Sequence, residues 1–139
     1  MNMTQNYKTF NLNNLGILEK CTFHGFLPNI DVYGLMKQTK SLISTSIIEG
    51  LAMVRLEALI NGNCVVTTNS GGTEQFFHLD SDLGIFLAES NPMDFARQMH
   101  NSLNNKYHTS EMVDQRKELA RNFSPEKISA QFISQFSSK

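Results

Sequence analysis

The chain lacks a surplus of charge of either sign: 12 Lys and Arg stand against 13 Asp and Glu, a net charge of -1, and no basic run occurs. That removes the electrostatic footprint of a nucleic-acid binder. Long apolar runs are missing too. No stretch approaches the ~20 residues of a membrane span, and the N-terminal MNMTQNYK has no apolar core of a secretory leader. The expected location is therefore cytoplasmic, at most peripheral to the inner face of a membrane. Cysteine is scarce: Cys21 and Cys64 have no metal-like spacing and read as reduced core thiols rather than a disulfide. His24, His78, His100 and His108 are scattered without ligand spacing, so no metal is expected. No internal repeat or low-complexity linker is present.

What remains is an ordinary globular composition. Hydrophobic residues make up 40% and charged residues 18% of 139, enough for one core in one domain spanning residues 1–139. The chain is organised around residues 44–72, STSIIEGLAMVRLEALINGNCVVTTNSGG. SLIS, up to Ser44, reads as a buried strand. A helix is predicted from Leu51 to Asn61, because Ala52, Met53, Leu56, Leu59 and Ile60 recur at the three-and-four spacing of one apolar face. Gly62 stands where a helix C-terminus wants a left-handed residue. A β-branched run, Val65 to Thr68, follows, and strand, loop, helix and strand make a parallel crossover unit.

The chemistry follows from where the loop ends. A helix beginning near Leu51 leaves the N–H groups of Leu51 to Val54 without intrahelical partners, at the positive end of the helix dipole, which suits a diphosphate. Glu49 lies just before that helix, and Glu57 about 9 Å along its axis from Leu51 at 1.5 Å per residue. Carboxylates on either side of a diphosphate accept hydrogen bonds from hydroxyls, one set on a sugar and one on a ribose. Such a pair outlines a nucleotide-sugar site. Taken alone, Glu49 also serves as a helix-start carboxylate and Glu57 as a solvated neighbour of Arg55.

This segment resembles the signature of retaining GT-B glycosyltransferases of glycosyltransferase family 4, roughly E-G-F-G-x-x-x-x-E-A-x-A-x-G-x-P-V-V followed by a G-G-x-x-E loop. Glu49, Gly50, Glu57, Ala58, Gly62, Val65, Val66, Gly71 and Gly72 stand in step, with Glu74 close behind. FHGFLPNIDVYGLMKQTK resembles the family's F-x-G-x-x-x-x-x-x-L-Y-x-x-A segment, and GIFLAESNPMDFARQM its G-x-L-V-x-x-x-x-P-x-x-L-A-x-x-I segment. Ala52 stands in place of the family's Gly, adding a methyl beside the donor sugar, and Cys64 in place of its Pro.

The resemblance implies the donor-binding half of such an enzyme. Glu49 would be the catalytic residue that orients the donor hexose. The helix start at Leu51, Ala52, Met53 and Val54 would bind the diphosphate, with Gly50, Gly71 and Gly72 allowing close approach, and Glu57 would bind the ribose. The donor would be a UDP- or GDP-hexose and the acceptor a glycan or lipid, as in polysaccharide biosynthesis, with no metal or other cofactor. Nothing in the sequence resembles the family's N-terminal acceptor domain or the first strand of its C-terminal domain. That strand and its helix carry the Arg and Lys of the diphosphate clamp, and Lys8 and Lys20 do not sit in the matching context. The isolated chain is thus expected to need an acceptor-domain partner. Two other readings stand beside this one: a non-catalytic remnant that binds a nucleotide sugar or a protein, and a nucleotide-sugar epimerase of similar architecture.

The flanking chain completes the expectation. Met1 to Leu15 reads as a helix ended by Gly16, and Glu19 to Phe26 as a strand. The loop at Phe26 and Leu27 is either a base-binding backbone, as the resemblance implies, or a plain turn ending in Pro28. Asn29 is predicted to cap a helix from Ile30 to Gln38, with Val32, Leu35 and Met36 inward. Thr73 to His78 reads as a short helix and Gly84 to Leu87 as a strand. Asn91 and Pro92 open a helix through Leu103 with Phe95, Met99 and Leu103 as its stripe; further helices run from Ser110 to Asn122 and from Ser124 to Phe136. Asp80-Ser81-Asp82 is read as turn chemistry rather than a metal motif. The whole is an α/β, Rossmann-like open parallel sheet of about four strands, half of a GT-B fold, with the loops after Phe23, Ser44 and Thr68 on its carboxyl edge.

Overall fold

The computed structural model describes residues 12–50, 52–70, 81–89 and 91–137, with the backbone alone at 131, 132 and 135–137. Strands β1 (Ser41–Ser44), β2 (Cys64–Thr68) and β3 (Ile85–Ala88) form one parallel sheet in the order β1-β2-β3. Ser41 pairs with Cys64 and Ser44 with Thr67; Val65 pairs with Ile85 and Thr68 with Ala88. The helices are α1 (Asn29–Met36), α2 (Met53–Ile60), α3 (Pro92–Ser102), α4 (Ser110–Arg121) and α5 (Pro125–Ser137).

Central strand β2 is buried from Cys64 through Thr67, as a parallel strand covered on both faces must be. Its alternation sorts the core into two layers. Val65 joins Leu56, Ala58, Leu59, Ile85 and Ala120 on the face covered by α2 and α4. Cys64 and Val66 join Phe86, Ala88 and Tyr107 on the other face, where Phe95 of α3 packs. Phe86 meets Tyr107 edge-on, with ring centres 5.3 Å apart.

Two glycines are demanded by backbone shape. Gly62 (φ 84°) ends α2 with its own N–H on Leu59 O and that of Asn63 on Ala58 O, the paired bonds of a left-handed helix stop. Gly84 (φ 79°) turns the chain into β3 where an added Cβ would lie 2.7 Å from Cys64 Sγ. Beneath both, Arg116 is fully buried and donates to Gly62 O, Leu83 O and Tyr107 O at 2.7–2.9 Å. One side chain thus ties the end of α2, the entry to β3 and the turn before α4.

Several expectations are corrected. Glu19 to Phe26 is not a strand: Leu18–Lys20 is a 3-10 turn, and the chain that follows, bent at Phe26 after Gly25 (φ 65°), lies outside the described sheet. The described sheet therefore has three strands, not about four. Asn29 is the first residue of α1 rather than its cap, the cap position falling to Pro28. Met53 and Ile60, expected on the apolar face of α2, are exposed, and Arg55 and Ala58 are buried instead. In α3 only Phe95 of the expected stripe is packed; Met99 and Leu103 face outward. By contrast, Asn91 Oδ1 accepts the Asp94 N–H at 2.8 Å, the cap its sequence announces. Residues 12–14 form a helical turn closed by Gly16; the rest of that helix and the one expected at Thr73 to His78 lie outside the described residues. Ser81–Leu83 of the D-x-D stretch is a 3-10 turn.

Candidate functional site

At the carboxyl edge of the sheet, the loops leaving β1 and β2 are fastened together. The Glu49 N–H donates to Ser70 O at 2.9 Å, and Thr68 Oγ1 donates to Ser46 O. The Ser46 hydroxyl in turn donates to Glu49 Oε1. Arg55, from the first turn of α2, is fully buried below this junction. Its Nη2 lies 2.8 Å from Ser70 Oγ, 3.4 Å from Ser44 Oγ and 3.9 Å from Glu49 Oε2. Burial pushes the guanidinium down from its ordinary value, and Glu49 pushes it back up. A half-shielded carboxylate is therefore held by a serine on one side and a buried cation on the other.

Helix α2 begins two residues later than expected. Ala52 (φ -73°, ψ 85°) occupies the cap position without a side-chain bond, and the Arg55 N–H returns to Ala52 O at 2.9 Å. Ala52 is buried, while Met53 and Val54 are exposed. Their N–H groups, the first two of the helix, take no partner among the described residues. Gly50 is exposed beside them, and a Cβ there would meet nothing within 4 Å. Unpaired N–H groups at an open helix start can receive an anion.

Glu57 lies in the second turn of α2 and turns toward α1, where Oε1 accepts the Tyr33 hydroxyl at 3.0 Å. That carboxylate holds the Tyr33 phenol above its ordinary pKa, through the hydrogen bond first and its charge second. A cavity of about 270 Å³ opens at this pair, lined by Ile30, Lys37, Ile60 and Asn61. A larger one, about 560 Å³, lies beside Ser46 between the strand ends and α3, with Ile47, Phe95 and Met99 in its walls. Pockets beyond the carboxyl ends of parallel strands are where α/β sheets take their ligands.

The expected site residues are thus placed unevenly. Glu49, Gly50, Ala52, Met53 and Val54 are gathered where the β1 loop meets α2. Glu57 stands one turn further on, against α1. Leu27 is half-buried in irregular chain before α1, and no hydrogen bond among the described residues joins residues 23–27 to the other loops. Leu51, Gly71 and Gly72, with Glu74, lie outside the described residues. Sequence reasoning missed Arg55, Ser46, Ser70 and Tyr33. The signal for Arg55 was present: it sits three residues after Ala52 and four before Leu59, a charge on the apolar face of its helix.

The family model for glycosyl transferases group 1 matches residues 4–123, and the chain belongs to that family. Its α/β architecture, helices on a parallel sheet, is that of a Rossmann-like half of a GT-B fold. A domain of this class works on a nucleotide-sugar donor and an acceptor. No curated protein and no solved structure matches the chain. Among the described residues no helix is long and apolar enough to cross a membrane, and no three His, Cys, Asp or Glu side chains are grouped to hold a metal ion.

Proposed function

We propose that residues 1–139 are the donor-binding domain of a retaining glycosyltransferase of family 4, with Glu49 and Glu57 as the two carboxylates of its E-x7-E signature. The donor is a UDP- or GDP-hexose and the acceptor a glycan or lipid. The open N–H groups of Met53 and Val54, beside Ala52, receive the diphosphate, and Gly50, Leu51, Gly71 and Gly72 line its approach. Glu57 accepts from the ribose, and the backbone near Leu27 meets the base. Glu49 orients the hexose. The bond from the anomeric carbon to the phosphate oxygen breaks on the same face on which the bond to the acceptor oxygen forms. The departing phosphate oxygen takes the acceptor's proton, and no metal ion takes part.

The observation that carries this reading is the junction at Glu49: a carboxylate held by Ser46 and Arg55, with its residue's own N–H on Ser70 O, beside a helix start whose first N–H groups take no partner among the described residues. An acceptor domain, on a partner subunit or in a longer protein, completes the cleft. Among the described residues the leaving diphosphate meets the backbone donors of this helix start, and electrostatic support of that kind is usually the largest part of catalysis. Exposed Ile47 and Ile48 on the loop leaving β1 favour a second reading, a non-catalytic remnant that binds a partner through this edge.

Amide-shift titration with UDP, GDP and their hexose conjugates, beside a Glu57→Ala control, tests the first reading. Shifts at Leu27, residues 50–57 and the Gly71-Gly72 loop, weakened in the control, support it and name the base. A well-folded sample without shifts at millimolar ligand leaves the partner-binding reading.

A further inference from the structure

The carboxylate assigned to the ribose is already held by a second residue. Tyr33 on α1 and Glu57 on α2 are 24 positions apart, and the Tyr33 hydroxyl donates to Glu57 Oε1 at 3.0 Å. Among the described residues this is the only hydrogen bond to the Glu57 carboxylate. An ionised carboxylate offers about four acceptor sites, so Oε1 keeps one and Oε2 both. Tyr33 therefore occupies the carboxylate without saturating it. A glutamate side chain loses considerable rotamer freedom when a ligand immobilises it, and a bond made beforehand removes part of that cost from binding.

We propose that Tyr33 is a positioning residue for ribose recognition: its hydroxyl fixes the rotamer of Glu57 so that the remaining acceptor sites meet the vicinal diol of a ribonucleoside diphosphate. The inference rests on the ribose role proposed for Glu57. Selectivity follows from geometry. A fixed carboxylate that expects two hydroxyl donors is left with an unpaired acceptor when the 2′-hydroxyl is missing, whereas a mobile one turns to solvent at little cost. The cavity at Tyr33 and Glu57, with Ile30 and Ile60 as walls, gives one face of the sugar apolar cover. A tyrosine that only packed α1 against α2 would contribute to stability and be indifferent to the 2′ position.

Calorimetric titration of the whole chain with UDP and 2′-deoxy-UDP, and with GDP and 2′-deoxy-GDP, separates these roles in the wild type, Tyr33→Phe and Glu57→Gln. Glu57→Gln is expected to erase the preference for the ribonucleotide. Tyr33→Phe is expected to reduce that preference by about 3- to 10-fold, the worth of one hydrogen bond, while affinity for the deoxy ligand stays within about twofold. A Tyr33→Phe protein with the wild-type preference, or one weakened equally for both ligands, overturns the positioning role and leaves Glu57 untouched. A wild type without ribo preference, indifferent to Glu57→Gln, overturns the ribose role itself. Should Tyr33→Phe fold poorly, incorporation of 3-fluorotyrosine, a stronger donor of the same shape, is expected to sharpen the preference; an unchanged ratio counts against the proposal.

Discussion

Arg55 Nη2 lies 2.8 Å from the Ser70 hydroxyl, and that contact closes a ring running from β1 through the Glu49 loop to the end of β2. A buried cation at the positive end of a helix is unfavourable unless its surroundings accept its hydrogen bonds. Ser44, Ser70 and Glu49 do so, and the loops are fastened as a consequence. The Glu49 N–H, bonded to Ser70 O, reports on this junction. Arg55→Met is expected to speed exchange of the Glu49 amide by about tenfold or more, with global stability falling by about 1–2 kcal/mol, because the acceptors it leaves are two rotatable hydroxyls and a carboxylate that is part-exposed. Hydrogen exchange measured by NMR checks it; an unchanged Glu49 amide means the loops are held by other contacts.

Local signals were legible where one residue type suffices to fix the backbone. Gly62 and Gly16 end helical turns, Asn91 caps α3, and Pro92 and Pro125 open helices, each as the sequence reads. Strands β1, β2 and β3 were found because apolar runs between turns have few alternatives. Glu19 to Phe26 has a strand's pattern but is none in the structure, because a strand exists only if a neighbour pairs with it, and that partner cannot be seen in an eight-residue pattern. The candidate site was half legible. Glu49 and Glu57 are singled out by the motif the segment resembles, but Tyr33 and Arg55, which contact them, act across 24 residues or from inside an apolar face.

Tyr33 ionisation reports on Glu57. The carboxylate favours the neutral phenol, so the folded-state pKa is raised. This contribution to stability is complete below the ordinary phenol value of about 10 and is lost as pH rises through the raised value. Glu57→Gln removes the charge, the second cause of the shift, and leaves a weaker, neutral acceptor for the hydroxyl. Ultraviolet difference titration is expected to show one tyrosine moving down toward the ordinary range in Glu57→Gln, and identical curves would mean the two groups do not meet.

Gly84 has no room for a side chain. At φ 79°, an added Cβ lies 2.7 Å from Cys64 Sγ and 3.2 Å from Arg116 Nη1, both buried. Gly84→Ala is expected to cost roughly 2 kcal/mol or more, combining backbone strain with overpacking. Gly50→Ala, which meets nothing within 4 Å, is expected to stay within about 1 kcal/mol. Denaturant unfolding of the pair is decisive: equal losses would remove the steric argument.

Arg116 is the larger wager on stability. Its three hydrogen bonds end on the carbonyls of Gly62, Leu83 and Tyr107, two of them at the turns that Gly62 and Gly84 bound. Arg116→Met strands those acceptors, and a loss of about 3 kcal/mol or more is expected. A loss under about 1 kcal/mol would mean that water replaces the guanidinium.

The start of α3 should respond to acid. Asp94 accepts two bonds from Arg97 and one from the Glu89 N–H, and these hold its carboxyl below the ordinary range, the Arg97 bond most strongly. A depressed carboxyl contributes stability that is present above its unfolded value of about 3.9 and is lost as pH falls through the folded one. Asp94→Asn keeps the shape and a hydrogen-bonding oxygen but not the charge. The stability difference between wild type and Asp94→Asn is therefore expected to be constant near neutrality and to shrink below about pH 4. Urea unfolding from pH 7 to pH 2 measures it, with Asn91→Ala as a reference whose loss of about 1 kcal/mol is a cap effect largely independent of pH. A difference that stays flat to pH 2 would show that the Asp94 charge contributes nothing, and that the bond from the Glu89 N–H alone positions the strand end beside α3.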